Sequence, residues 1–255
     1  VYGILGFKTH TKVALVVRKE KGKLRNYFHI GTGNYNSNTS LFYTDIGFLS
    51  TDPDIASDLI ELFNYLSGFS KQKTYQKLLV SPSSLRKKFI FLINREIENK
   101  KKGKEAQIIA KMNSLVDPEI IKLLYLASQT GVKINLIIRG VCCLYPQRKN
   151  LSENIKVISI IGHFLEHSRI FWFYNDQNPE VYIGSADCMR RNLDRRIEAI
   201  TPIEDIELKS KLYNLLQTYM NDNYFSWEMN EDGTYTKKKQ NSTKYRSQMD
   251  LIKSW

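Results

Sequence analysis

Two short passages place a cation two residues after a histidine: His10-Thr11-Lys12 and His167-Ser168-Arg169. If each opens a strand, the two-residue period puts the imidazole and the charged head on one face. An imidazole beside a fixed cation suits attack on phosphorus. The ring nitrogen supplies the lone pair, and the ammonium or guanidinium neutralises phosphoryl oxygens. A lone His-x-Lys carries little weight, because most such pairs belong to a solvated surface or a core. Here the downstream context repeats too. Strand, connection and strand lead from the first copy to Ile30-Gly31-Thr32-Gly33-Asn34 and from the second to Ile183-Gly184-Ser185-Ala186-Asp187, with the glycine 17 to 21 residues after the histidine. Matching copies point to an internal duplication. One histidine from each half would then face a shared cleft, one as nucleophile and the other as acid, base or phosphate ligand. Asn34 is a candidate for orienting the His10 ring or a phosphate oxygen. His29 and His163 lack this context and read as a strand residue and a loop residue.

Periodicity supplies the elements that must position these groups. Residues 10 to 17 and 24 to 31 read as strands joined by the turn Lys19-Glu20-Lys21-Gly22. Asp52-Pro53 opens a helix that ends before Gly68, with Ile55, Leu59, Leu62, Phe63 and Leu66 at helical spacing. A second helix is expected from about Pro82 to Lys101, and the lysine run at its end suits a solvated helix terminus. Residues 105 to 140 read as β-α-β: strand AQIIAKM, cap Asp117-Pro118, helix EIIKLLYLASQT, Gly131, strand VKINLIIRG. Such a unit implies neighbouring parallel strands and a right-handed crossover. HSRIFWFYN and EVYIGSAD add two strands, and a helix follows from about Ile203 to Met220. The first half has no upstream counterpart of the β-α-β unit. A chain that starts at Val1 in strand-like sequence is expected to be a fragment whose boundary removed it. From Lys237 onward the sequence is polar and basic, and a flexible or loosely docked tail is expected.

Composition narrows the function classes. With 42% apolar, 12% aromatic and 25% charged residues, the 255-residue chain can bury a full core and is not disordered throughout. Arg139 and His163 interrupt the best apolar runs, well short of the ~20 residues of a membrane helix. The 38 Lys+Arg against 26 Asp+Glu leave a net charge of +12, which asks for a polyanionic partner: nucleic acid, anionic lipid or a phosphate polymer. Cys142 and Cys143 are adjacent and Cys188 stands alone, with no spacing of the zinc-ligand type. A reducing cytoplasm fits that usage.

The passages GFKTHTK, YFHIGTGNYN, LFYTDIGFLSTDP, KMNSLVDPEII, LIIRGVCCL, FLEHSRI and VYIGSADCMRRNLDRR, in that order, closely resemble the C-terminal half of bacterial polyphosphate kinases of the first type. The resemblance runs from about Val1 to Tyr235. It implies an α/β fold of duplicated phospholipase D-like domains, with mixed sheets flanked by helices. Residues 1–80 would form a first copy truncated at its N-terminus, residues 81–236 a complete second copy, and residues 237–255 the basic tail. It also implies reversible transfer of the ATP γ-phosphate to polyphosphate through a phosphohistidine.

Position by position, His10 matches the phosphorylated histidine. Tyr43, Arg139 and His167 match positions used around the nucleotide and its phosphates. Lys12, Arg139, Arg169 and some of Arg190, Arg191, Arg195 and Arg196 are expected to neutralise phosphate charge. Asp194 and Glu198 are expected to tie part of that run into scaffold salt bridges. Phospholipase D proteins carry an Asp after four residues beyond the lysine. Val17 and Tyr174 stand there, a departure that favours a kinase over a diester hydrolase. Mg²⁺ is expected with ATP, bridging phosphates, without a dedicated carboxylate site. The implied partners are ATP or ADP and inorganic polyphosphate, with no specific nucleic acid and with homo-oligomers of the full-length protein. The implied location is cytoplasmic, with peripheral membrane association left open. Further phosphate and nucleotide contacts would lie upstream, so the fragment alone is expected to have little or no activity. Two competing readings remain at this point: a phospholipase D-type nuclease or phosphodiesterase, and a nucleic-acid-binding module built on the basic face and its tyrosines.

Overall fold

The computed structural model describes residues 3–71, 74–240 and 243–254. The chain enters through β1 (Lys8–Thr9) and then forms the hairpin β2 (Val13–Glu20) and β3 (Lys23–Gly31). Glu20 pairs with Lys23, so the loop is only Lys21-Gly22, both at positive φ. That geometry suits the twist of a two-residue hairpin, and a glycine accepts it without a steric penalty. α1 (Ser37–Ser40) and β4 (Tyr43–Thr44) lead to β5 (Gly47–Ser50), which pairs antiparallel with β3. α2 (Pro53–Leu66) begins where the sequence places it. Asp52 accepts the N–H groups of Asp54 and Ile55, and Pro53 occupies the first turn. Its buried face, Ile55, Leu59, Leu62 and Leu66, joins Phe28 and Ile30 in one core.

β6 (Leu79–Ser81) precedes α3 (Leu85–Lys101). The helix starts three residues later than Pro82, because Pro82–Ser84 form a turn in which Ser84 Oγ accepts the Val80 N–H (3.0 Å). The expected β-α-β unit is present as β7 (Gln107–Met112), α4 (Pro118–Thr130) and β8 (Lys133–Ile138), with β7 and β8 parallel. Asp117 caps α4, and Gly131 ends it in the left-handed conformation, where a side chain would be strained. Next come β9 (Ile155–Ile160), β10 (Leu165–Glu166), β11 (Ile170–Phe173) and β12 (Glu180–Gly184). They are followed by α5 (Arg190–Asp194), β13 (Arg196–Ile203) and α6 (Ile206–Asn221). β14 (Ser226–Met229), β15 (Tyr235–Lys237) and α7 (Ser247–Ser254) complete the described chain.

A ten-stranded mixed sheet runs β1-β13-β12-β11-β7-β8-β9-β14-β15, with β6 also on β13. Alternation along β7 sends Ile108, Ala110 and Met112 to the face covered by α3 and α4, and Ile109 to the face covered by α6. Both faces are therefore buried, and the α/β class with mixed sheets flanked by helices is the one the chain adopts. Among the described residues, no helix is long and apolar enough to cross a membrane.

The C-terminal segment departs from the expected loose tail. Residues 237–246 are polar, and α7, itself mostly polar, carries Ser247 and Gln248 into the interior and packs Leu251 against the core under α6. Asp222 Oδ2 accepts both the N–H (2.8 Å) and the hydroxyl (2.6 Å) of Ser247. Specific hydrogen bonds, rather than apolar mass, dock this element, so composition alone does not reveal it.

Candidate active site

His10-Thr11-Lys12 does not lie on a strand; it is the connection between β1 and β2. His167-Ser168-Arg169 likewise connects β10 to β11. The same-face argument therefore does not apply. Instead each cation folds back on its own histidine. Lys12 Nζ donates to the His10 carbonyl (2.7 Å), and Arg169 Nη1 donates to the His167 carbonyl (2.9 Å).

The strands before each histidine explain the rest. β1 runs parallel to β13 with Thr9 opposite Ile197, and β10 runs parallel to β4 with Glu166 opposite Thr44. One more step in each register sets His10 against Glu198 and His167 against Asp45. The contacts are made: His10 Nδ1 to Glu198 Oε2 is 2.9 Å, and His167 Nδ1 to Asp45 Oδ1 is 2.8 Å. Each imidazole thus takes its carboxylate from the other copy of the repeat. The repeated turn also acts twice. Thr32 Oγ1 donates to Asp45 Oδ1 (2.6 Å), and Ser185 Oγ donates to Glu198 Oε2 (2.5 Å). Asn192 Nδ2 holds the other Glu198 oxygen at 2.5 Å. A carboxylate can only accept, so Nδ1 carries the ring proton and Nε2 keeps its lone pair, which in His167 faces Arg169 Nη1 at 3.2 Å.

Burial tunes the charges. Lys12 is 5% exposed, and burial pulls its ammonium down to about 8, opposed by Glu198 and Asp45 and assisted by Arg169 and Arg196. One lysine therefore feels the carboxylates of both histidine stations, which gathers the two stations into one site. Burial also lowers the His167 pKa. Asp45 counters that shift, while Arg169 and Lys12 add to it. The Tyr43 ring packs on His167 with centroids 4.8 Å apart. Arg169 is buried, donates to Thr32 O (3.2 Å) and pairs with Asp187 (3.2 Å). Asp187 also accepts the Asn113 N–H (2.7 Å), and Asn113 Oδ1 accepts Arg139 Nε (3.1 Å). Arg139 thereby joins the second station through two intermediates.

Two expectations need correction. Asn34 does not orient His10: its residue is exposed, and Glu198 already holds that ring. The arginine run is not tied up by its own carboxylates either. Asp194 pairs with Arg86 (2.7 Å) and Glu198 serves His10. Among the described residues, Arg190, Arg191, Arg195 and Arg196 have no carboxylate at ion-pair distance. Asp45 and Glu198 are the functional-site residues that sequence reasoning missed. So is the Lys111–Glu166 pair, 2.9 Å apart and almost wholly buried. Its one signal was a lysine inside the apolar run of β7. Behind Tyr43 and Asp45 lies an open, largely apolar cavity of about 490 Å³, lined in part by α6 and α7.

Comparison with known proteins identifies the family. The family model described as polyphosphate kinase C-terminal domain 1 matches residues 1–72, and the one for C-terminal domain 2 matches residues 78–248. A polyphosphate kinase of Prochlorococcus marinus is 63% identical over the whole chain, which covers 36% of that protein. One from Synechocystis is 53% identical over 94% of the chain and 33% of its own length. The chain thus spans about a third of the length of these relatives. The crystal structure of polyphosphate kinase from Porphyromonas gingivalis superposes with a TM-score of 0.92 at 35% identity, covering 98% of this chain and 39% of that one. A yeast tyrosyl-DNA phosphodiesterase, at TM-score 0.50 and 11% identity over 76% of this chain and 66% of its own, shares the fold alone. Matched along nearly its full length by both models, the chain belongs to the polyphosphate kinase family as its C-terminal domains 1 and 2.

Proposed function

We propose that this chain carries the phosphoryl-transfer centre of a polyphosphate kinase, with His10 as the residue that takes the ATP γ-phosphate and passes it to polyphosphate. The observation that supports this most is the reciprocal exchange of carboxylates, which engages both Nδ1 atoms, turns the His10 Nε2 lone pair away from Glu198 and sets His167 Nε2 beside Arg169 Nη1 (3.2 Å), with one buried lysine between the carboxylates. His10 Nε2 attacks the γ-phosphorus, the bond to the bridging oxygen of ADP breaks, and ADP departs with that electron pair as a stable anion. A terminal oxygen of polyphosphate then attacks the phosphohistidine, the N–P bond breaks, and the imidazole regains its lone pair. The same intermediate phosphorylates ADP in reverse. Positioning and charge neutralisation dominate such a reaction. Glu198 fixes the tautomer and offsets the positive charge of the phosphorylated ring.

Lys12, Arg169 and Arg139 neutralise phosphoryl oxygens. His167, held towards its neutral form and flanked by Tyr43, serves as phosphate ligand or proton carrier. In this proposal Mg²⁺ enters with ATP as part of the substrate. The excess of +12 suits a polyanion held along a basic surface. We further propose a cytoplasmic location, homo-oligomers of the full-length protein and little activity for residues 1–255 alone. Labelling the full-length protein with γ-labelled ATP tests the centre. Wild type should take up acid-labile, base-stable label, His10→Ala none, and His167→Ala should turn over more slowly. Label that persists in His10→Ala removes the assignment.

A further inference from the structure

Gln248, in the first turn of α7, is 3% exposed and lies far in sequence from either histidine. Its amide makes three hydrogen bonds. Nε2 donates to Glu166 Oε1 (2.7 Å) and to the Phe164 carbonyl (2.9 Å), and Oε1 accepts the Phe164 N–H (3.0 Å). Both amide protons are used, so the group has one orientation. Gly162 clears its approach: a Cβ there would lie 2.3 Å from Gln248 Oε1. Glu166 in turn accepts the Thr44 hydroxyl (2.9 Å) and pairs with Lys111, whose ammonium reaches Ser168 Oγ (2.7 Å). Residues on both sides of His167 are thus held by side chains from three other elements.

The seam they hold is short. β4 and β10 are two residues each, joined by Leu165 N to Phe42 O (2.8 Å) and His167 N to Thr44 O (3.1 Å). A ladder of that length is weak by itself. Yet this seam sets the register in which Asp45 meets His167.

We propose that Gln248 is a positioning residue of the phosphoryl-transfer site: by fixing Phe164 and Glu166 it holds the β4–β10 seam across which Asp45 grips His167. The kinetic consequence rests on the function proposed above; the structural one does not. The groups facing His167 are Tyr43 and Asp45 from β4 and its end, Arg169 from its own connection, and Lys12 from the β1–β2 connection. Of the charged ones, only Asp45 favours the protonated ring. A loosened seam therefore leaves the two cations less opposed, and His167 titrates at lower pH.

The test uses full-length protein with histidine labelled at Cε1, assigning His167 with His167→Gln, in wild type, Gln248→Ala, Gln248→Met and Ser247→Ala. Gln248→Met keeps the side-chain length, adds no charge and removes all three hydrogen bonds, so it carries the test if the alanine variant does not fold. Both Gln248 variants should titrate His167 at lower pH and lose about ten- to a hundred-fold in kcat, with KM for ATP nearly unchanged. Ser247→Ala removes a different anchor of α7 and should lower the melting temperature while leaving the titration and kcat as in wild type. Gln248 variants that melt lower, or raise KM, with an unmoved His167 titration overturn the proposal. A shifted titration in a protein without kinase activity upholds the positioning role and sinks the functional reading instead.

Discussion

Lys12 is a cation of this site whose charge can be lost near physiological pH. Burial draws its pKa to about 8, so the free enzyme sheds that positive charge as pH rises through that value. The pH profile of kcat/KM reports groups of the free enzyme. An alkaline limb near pH 8 is expected for ATP. Lys12→Arg, which installs the cation found at the matching position Arg169, should erase that limb because a guanidinium stays protonated. A limb that persists in Lys12→Arg would assign it to another group. The histidines and their cations were legible because their pattern occurs twice. Their carboxylates were not. A search within each copy finds Val17 and Tyr174, whereas Glu198 and Asp45 arrive from the opposite copy.

At the scale of elements, two parallel pairings, β1 with β13 and β10 with β4, bring each histidine to its carboxylate. Glu198→Gln tests one of them. The amide can donate to Nδ1, moving the ring proton to Nε2 and blocking the lone pair that attacks phosphorus. Phosphohistidine formation in single-turnover experiments should slow by about 10²- to 10⁴-fold while the protein stays folded. A rate within a few-fold of wild type would mean that Glu198 does not set the tautomer. α2, α4 and the β-α-β unit were readable because Asp-Pro caps and helical spacing agree there. β1, β4 and β10, at two residues each, are too short to show any period. β13 hides behind the charged run Arg190–Arg196, and α7 behind the polar residues that precede it.

For the whole molecule, the duplication and the α/β class could be inferred from sequence, but the molecule is more than two copies side by side. Each copy completes the other's histidine, and the C-terminal helix locks the seam between them. The positive charge follows the same logic: Lys12 and Arg169 lie beside the histidines, Arg139 is linked to Arg169 through Asn113 and Asp187, and Arg190, Arg191 and Arg195 lie exposed without carboxylate partners among the described residues. A polyanion that neutralises them releases its counterions, so binding must weaken as salt rises, and six phosphate contacts would cost about a thousand-fold between roughly 50 and 200 mM. Polyphosphate affinity measured by filter binding across that range should fall linearly on logarithmic axes. Arg191→Ala should reduce the slope by about one contact. Single-stranded DNA at the same salt should bind more weakly, because its phosphates are spaced further apart along the chain than those of polyphosphate and bring fewer charges to the same cations. A slope unchanged in Arg191→Ala would remove that arginine from the polymer's path, and a preference for DNA would make nucleic acid the better account of the charge.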